Sequence, residues 1–300
     1  MKILVTGAHG LVGSALVSQL RFDGHAVVCA VRGGRGGDAS SPGQVGWDVN
    51  TGIADTQAIE GIDAAIHLAG ESLTDRWTAA KKRAILESRT AGTRALVQSL
   101  ARLRQRPRLL ICASAIGFYG NRGDEMLDEY SPAGSGFLSE VVRQWEQSAA
   151  AAENLGVRTV FARFGIVLSP RGGALSKMLP IFRTGLAGPL GSGRQFMSWI
   201  ALDDTVRALV FLLNEPTLRG AVNVTAPNPV RNREFAQTLG RVLRRPAILP
   251  VPAAALRLTM GEMADELLLS STRVRPLRLQ QTGFEFRWPT LEAALEKVLR

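Results

Sequence analysis

Apolar positions follow two rhythms along this chain. Residues 3–6, 26–31, 64–68, 109–113 and 159–163 are nearly continuous in apolar side chains, which is how strands read when a parallel sheet buries both of their faces. Between them, residues 11–21, 78–104 and 137–155 repeat apolar side chains at helical spacing with polar faces opposite. These segments are long enough to carry the chain from one parallel strand to the next. The alternation predicts an α/β fold with a doubly wound parallel sheet. After about residue 165 the rhythm changes. Glycine and proline cluster through 170–193, and short pieces follow, among them a strand-like run at 222–224 and a helical one at 232–244. The expected organisation is a first domain over 1–165, joined by a later strand from 190–225, and a smaller C-terminal lobe over 166–300 that closes over a substrate.

The first strand-like run leads directly into Gly7-Ala8-His9-Gly10-Leu11-Val12-Gly13 and then into the first helical run. A strand, a glycine turn and a helix start in that order form a cradle for a dinucleotide pyrophosphate. Gly7 permits the sharp turn, Gly10 lets the backbone approach phosphate, and Gly13 lets the helix pack close to the sheet. The helix's unpaired N–H groups and positive end then face the anion.

Composition narrows the picture. The 300 residues can bury a substantial core without staples. The chain enters its first strand with no basic leader, and no apolar run is long enough to span a membrane, so a cytoplasmic protein with no membrane contact is expected. Cys29 and Cys112 fall in strand-like runs and read as small buried hydrophobes. His9, His25 and His67 have no ligand spacing, so no metal is expected. The net charge of +10 raises a nucleic-acid partner. However, the lysines are only Lys2, Lys81, Lys82, Lys177 and Lys297, and the arginines are scattered without interleaved aromatics, which argues against one.

The end of the second strand decides the cofactor. There an acid would accept from a ribose 2′-hydroxyl, whereas a base suits a 2′-phosphate. The chain has Arg32, with Arg35 three residues on, and no acid. The arginine fork fits phosphate, so NADP is expected over NAD.

These residues resemble the extended and atypical branch of the short-chain dehydrogenase/reductase superfamily, with a Rossmann-type sheet and an NAD(P)-dependent epimerase/dehydratase-like character. The marks are Gly7 to Gly13, Asp48 after the third strand, His67-Leu68-Ala69-Gly70 ending the fourth, and Ser114 with Phe118-Tyr119-Gly120 after the fifth. More closely, the chain is similar to an epimerase-family subgroup once labelled as a cell-division inhibitor. That likeness runs through Leu68-Ala69-Gly70-Glu71, Arg76-Trp77, Ser88-Arg89, Trp145-Glu146, Gly172-Gly173-Ala174-Leu175, Ser198-Trp199-Ile200 and Gly261-Glu262-Met263-Ala264. The resemblance implies cofactor contacts from Gly7, His9, Gly10, Leu11, Val12, Gly13, Arg32, Arg35, Asp48, Leu68, Ala69, Gly70, Glu71, Arg76 and Arg163. It implies substrate contacts from Arg89, Lys177 and Trp199.

The superfamily moves a proton through a Ser-Tyr-Lys relay while the nicotinamide takes a hydride. Aligning Glu146 with the glutamate that commonly follows YxxxK puts Leu138 and Val142 where tyrosine and lysine belong. Ser114 and Tyr119 remain as candidate catalytic residues. Ser114 either hydrogen-bonds a substrate oxygen or caps backbone, and Tyr119 either supplies a phenol or supports the site. Arg76 and Arg89 either neutralise a phosphate or a substrate carboxylate, or belong to solvated ion pairs. Ala201 stands where subgroup relatives often carry histidine. Two functions follow. One is an NADP-binding oxidoreductase or epimerase-like enzyme acting on a small polar molecule with altered proton transfer. The other is a non-catalytic NADP-binding regulator that contacts a protein partner.

Overall fold

A computed structural model describes residues 1–32, 43–74 and 76–300 of the chain. The expected alternation is there from the first element. Strand β1 (Lys2–Thr6) leads into helix α1 (Leu11–Phe22), then β2 (Ala26–Arg32), β3 (Gln44–Asp48), β4 (Gly52–Ile53) and β5 (Ala64–His67). Helix α2 (Ala79–Ala101) begins at Thr78, whose side chain accepts from the Lys81 amide, and carries the chain to β6 (Leu109–Ala115). A 3-10 turn at Ile116–Tyr119 and the two-residue β7 (Met126–Leu127) precede α3 (Phe137–Ala150), and β8 (Arg158–Phe164) follows.

The second half supplies β9 (Ile166–Leu168), α4 (Gly173–Thr184), β10 (Phe196–Met197), β11 (Trp199–Ala201) and α5 (Leu202–Asn214). Then come β12 (Gly220–Val224), β13 (Val230–Arg231), α6 (Asn232–Leu243), α7 (Ala253–Met260), β14 (Arg273–Val274), α8 (Leu277–Gln281) and α9 (Leu291–Leu299).

The main sheet runs β12-β8-β6-β5-β1-β2-β3-β4, parallel throughout except for the antiparallel β3–β4 pair. Strand order reverses at β1, where β2 pairs on one side and β5 on the other. That is the switch point at which doubly wound sheets bind ligands outside the carboxyl ends of their strands. β12, from the 190–225 stretch, pairs parallel with β8 and completes the sheet from the far half of the chain.

Strand alternation sends side chains to two cores. Ile3 and Val5 join Leu16 and Leu20 of α1 and Leu209 and Leu212 of α5 on one face. Leu4, Val28 and Ala30 join Leu96 and Leu100 of α2 on the other. A third cluster, with Leu175, Leu179, Phe182, Phe235, Leu239 and Leu295, fills the C-terminal lobe. Cys29 and Cys112 are free and buried. Among the described residues, no helix is long and apolar enough to cross a membrane, and no group of His, Cys, Asp and Glu could hold a metal ion.

Candidate functional site

The glycine turn closes onto the neighbouring strand exit. Gly7 has φ +68°, and a Cβ there would stand 2.7 Å from the Leu68 carbonyl carbon and 2.8 Å from the Ala69 nitrogen. A Cβ on Gly13 would fall 2.1 Å from the Gly7 oxygen, so the third glycine is required by helix-to-turn packing. Gly10 differs. Its amide donates to the Gly7 carbonyl at 3.0 Å, and among the described residues a Cβ there would meet only that oxygen, at 3.3 Å. No other described residue crowds Gly10, as a site for an approaching anion requires. Among the described residues no side chain caps α1, and no acid lies in its first turn, so its N-terminal dipole and amides are left for a ligand. His9 and Gly10 are exposed, and Leu11 and Val12 are half-buried.

Polar side chains fix the walls of this cradle. Thr6 Oγ1 lies 2.7 Å from His67 Nδ1 and accepts from the Ala69 amide, tying the exits of β1 and β5 together. Burial pushes the His67 imidazole down to about 4, so it is neutral at ordinary pH. From the second lobe, Gly172 and Gly173 at the start of α4 pack on Leu11, with Cβ positions 3.5 and 3.4 Å from its side chain. A second helix start therefore meets the first beside the glycine turn.

The exit of β2 ends in a base. Arg32, the last residue of β2, is exposed; Arg35 lies outside the described residues. Asp48 is exposed at the end of β3, where its Oδ1 accepts from the amides of Asn50 and Thr51. Those bonds hold its carboxyl below the usual range and commit one oxygen to the local turn.

Beyond the cradle, the segment after β5 is braced against α2. The Glu71 amide donates to Ser88 Oγ at 3.1 Å, and Lys81 Nζ pairs with Glu71 at 2.9 Å. Arg76 is exposed. Arg89 is half-buried against Gly70, with its guanidinium 5.1 Å from the Trp145 ring.

The exits of β6 and β8 hold the other candidates in a buried network. Ser114 Oγ donates to Glu146 Oε1 at 2.6 Å. Arg163 grips the same carboxylate with Nε and Nη2, both at 2.8 Å, and donates through Nη1 to the Tyr119 oxygen at 3.0 Å. The Tyr119 hydroxyl donates to Asn223 Oδ1 at 2.8 Å, and the Asn223 amide donates to Glu129. Burial lowers the affinity of Arg163 for its proton, but the hydrogen bonds and charge of Glu146 outweigh it and the guanidinium is held above its ordinary value.

This arrangement redefines several sequence expectations. Arg163, expected at the cofactor, is 4% exposed and spends its donors inside the network. Tyr119 has no exposed surface, and burial pushes its phenol up to about 12, the wrong direction for a base at neutral pH. Trp199, expected at the substrate, is wholly inside the C-terminal lobe, where its Nε1 donates to the Asn228 carbonyl. Lys177 is exposed on α4. Leu138 and Val142, at the relay positions, are buried and pack toward Gly117. Ser114 is 3% exposed and anchors to a side chain, an option beyond substrate binding and backbone capping.

Sequence reasoning missed Asn223 and Glu129, whose partners lie far away in the chain. It also missed Glu266, which accepts from the Phe137 and Leu138 amides at the start of α3. The role of Glu146 had a readable signal. It sits four residues after Val142 on a face with Leu138 and Ala149, and a carboxylate on a buried stripe needs a buried partner.

The family model described as "NAD dependent epimerase/dehydratase family" matches residues 3–225, and a "Domain of unknown function" model matches residues 251–298. The chain is 41% identical to Epimerase family protein Mb2239 of Mycobacterium bovis over 98% of this chain and 96% of that one. It is similar to the crystal structure of human epimerase family protein SDR39U1 with NADPH, at a TM-score of 0.89 and 34% identity over 99% of both chains. It is also similar to a nucleoside-diphosphate sugar epimerase structure from Corynebacterium glutamicum, with a TM-score of 0.80 and 34% identity, spanning 99% of this chain and 58% of that one. By extent of match and identity, the chain belongs to the NAD dependent epimerase/dehydratase family.

Proposed function

We propose that this protein binds NADP(H) at the β1–α1 turn and uses it as an oxidoreductase or epimerase-like enzyme on a small polar molecule, without a tyrosine relay. The observation that carries the reading is the cradle itself. Gly7 and Gly13 are packed too tightly for any side chain, while Gly10 opens before an uncapped helix start. NADP over NAD is supported by Arg32 at the end of β2 and by the NADPH in the human relative. The cofactor would supply or accept a hydride. The chain's own part is to hold the pyrophosphate on the α1 amides, the 2′-phosphate at Arg32 and the strand exits in register through Thr6 and His67. The Ser114–Glu146–Arg163 network keeps the β6 and β8 exits rigid beside the reacting end.

A second reading has its own support. Leu138 and Val142 fill the relay positions with apolar packing, which suits a protein that binds NADP to present a surface to a protein partner, without turnover. Two measurements separate the readings. Calorimetric titration should give tighter binding of NADPH than NADH, and the reverse order would sink the cofactor assignment. Absorbance of bound NADPH followed across aldehydes, ketones and nucleotide sugars tests chemistry. Silence across the panel, with a partner captured only by the NADPH-loaded protein, would favour the regulator.

A further inference from the structure

Arg89 differs from three other cations around the β5 and β6 exits. Lys81 holds Glu71 at 2.9 Å, Lys82 holds Glu262 at 2.8 Å and Arg163 holds Glu146 at 2.8 Å. Among the described residues, Arg89 has no carboxylate at ion-pair distance. Its one hydrogen bond to the described residues runs from Nη1 to the Ile85 carbonyl of its own helix at 3.2 Å. The guanidinium is 5.1 Å from the Trp145 ring and borders Gly70, where a Cβ would stand 3.4 Å from both Cζ and Nη2. Burial pushes the group down to about 10, and the charge of Glu71 restores only part of that. A half-buried guanidinium with one neutral acceptor is poorly satisfied, and its fork of five donors matches the paired oxygens of a carboxylate or phosphate.

Its position gives this a function. Trp145 follows Leu138 and Val142 on the same face of α3, at helical spacing. The Arg89 guanidinium therefore lies beside the side chain one turn beyond Val142 and against Gly70, just after β5. The cation against the Trp145 face of α3 comes from α2. Arg76, the other arginine expected to neutralise an anion, is exposed.

We infer that Arg89 is an anion receptor, and that the small molecule handled in this cleft carries a carboxylate or phosphate group gripped by the guanidinium beside Gly70. The inference rests on the reading that the cleft takes NADP and a small polar substrate.

The test uses the full chain and two probes, oxalate for a carboxylate and inorganic phosphate for a phosphate. The Arg89 Nε–H resonance, assigned with R89K, and the Trp145 indole resonance are followed by NMR, with and without saturating NADPH. At least one probe should give a saturable shift with NADPH bound. Binding of that probe should weaken about fivefold in R89K and tenfold or more in R89Q, while NADPH affinity stays within about threefold of the wild type. The probe that saturates identifies the anion class. R89K retains the charge, so it reports even where R89Q folds poorly. Absence of saturable shifts with both probes overturns the inference. So does probe binding that survives R89Q, or NADPH affinity that falls in step with probe affinity, which would assign Arg89 to the cofactor. Probe binding at Arg89 in a protein that does not bind NADPH would leave the receptor standing and remove the cofactor reading.

Discussion

Ser114 and Arg163 meet on one oxygen: the serine hydroxyl donates to Glu146 Oε1 at 2.6 Å, and the arginine Nε reaches the same atom at 2.8 Å. The two strands that carry them, β6 and β8, are neighbours in register, with Ser114 opposite Arg163. Glu146 therefore ties both strand ends to α3. Replacing Glu146 with Gln leaves a buried guanidinium without its counter-charge. Urea unfolding should show a loss of about 3–5 kcal/mol, the range for breaking a buried pair. Ser114→Ala removes one hydrogen bond and should cost only about 1 kcal/mol. Equal costs for the two variants would contradict this account.

Tyr119 should act on stability and not on proton transfer. Tyr119→Phe leaves Arg163 Nη1 and Asn223 Oδ1 without a partner, at a cost of about 1–3 kcal/mol, with NADPH affinity unchanged. The phenol is raised from 10.0 to about 12 in the folded protein, chiefly by burial. The unfolded chain thus releases this proton first, and stability falls as pH rises from about 10 to about 12. That alkaline loss should be smaller in Tyr119→Phe, as read by denaturant midpoints across the window.

The cradle glycines should separate folding from binding. Gly13→Ala drives a methyl into the Gly7 carbonyl and should lower the melting temperature as well as abolish NADPH binding. Gly10 already has φ −71°, a conformation alanine adopts freely. Gly10→Ala should hold stability within about 0.5 kcal/mol while its methyl obstructs the phosphate. NADPH affinity should fall at least tenfold in calorimetry, and unchanged affinity would move the pyrophosphate elsewhere.

Arg32 should govern cofactor choice. Loss of a charge-assisted contact is worth about 1.5–3 kcal/mol, so Arg32→Ala should weaken NADPH binding by about ten- to a hundredfold. NADH binding should barely change. Parallel losses for both cofactors would place Arg32 away from the 2′-phosphate.

What the sequence made legible follows the range of the interactions. The buried strands, the crossover helices and the glycine turn are local patterns, and they were readable because each is decided within a few residues. The surroundings of Arg163 were not legible for the opposite reason. Its environment depends on Glu146 from α3 and Tyr119 from the turn after β6, neither of which a strand-end arginine reveals. Trp199 shows the same limit: a motif tryptophan reads equally well as a ligand contact or a packing element, and its burial against residues from α4, α6 and α9 is visible only in the fold.

Cutting the chain near Gly165 would remove β12 together with Asn223, and β8 would become a bare edge with unpaired backbone groups, the kind of strand that recruits other chains. It would also strip the Tyr119 hydroxyl of its acceptor and α3 of the Glu266 carboxylate at its start. An N-terminal fragment ending there should aggregate and should not act as a portable nucleotide-binding module. The two halves of this sequence should therefore fold as one unit, because the main sheet is completed only when β12 from the carboxyl-terminal half pairs with β8.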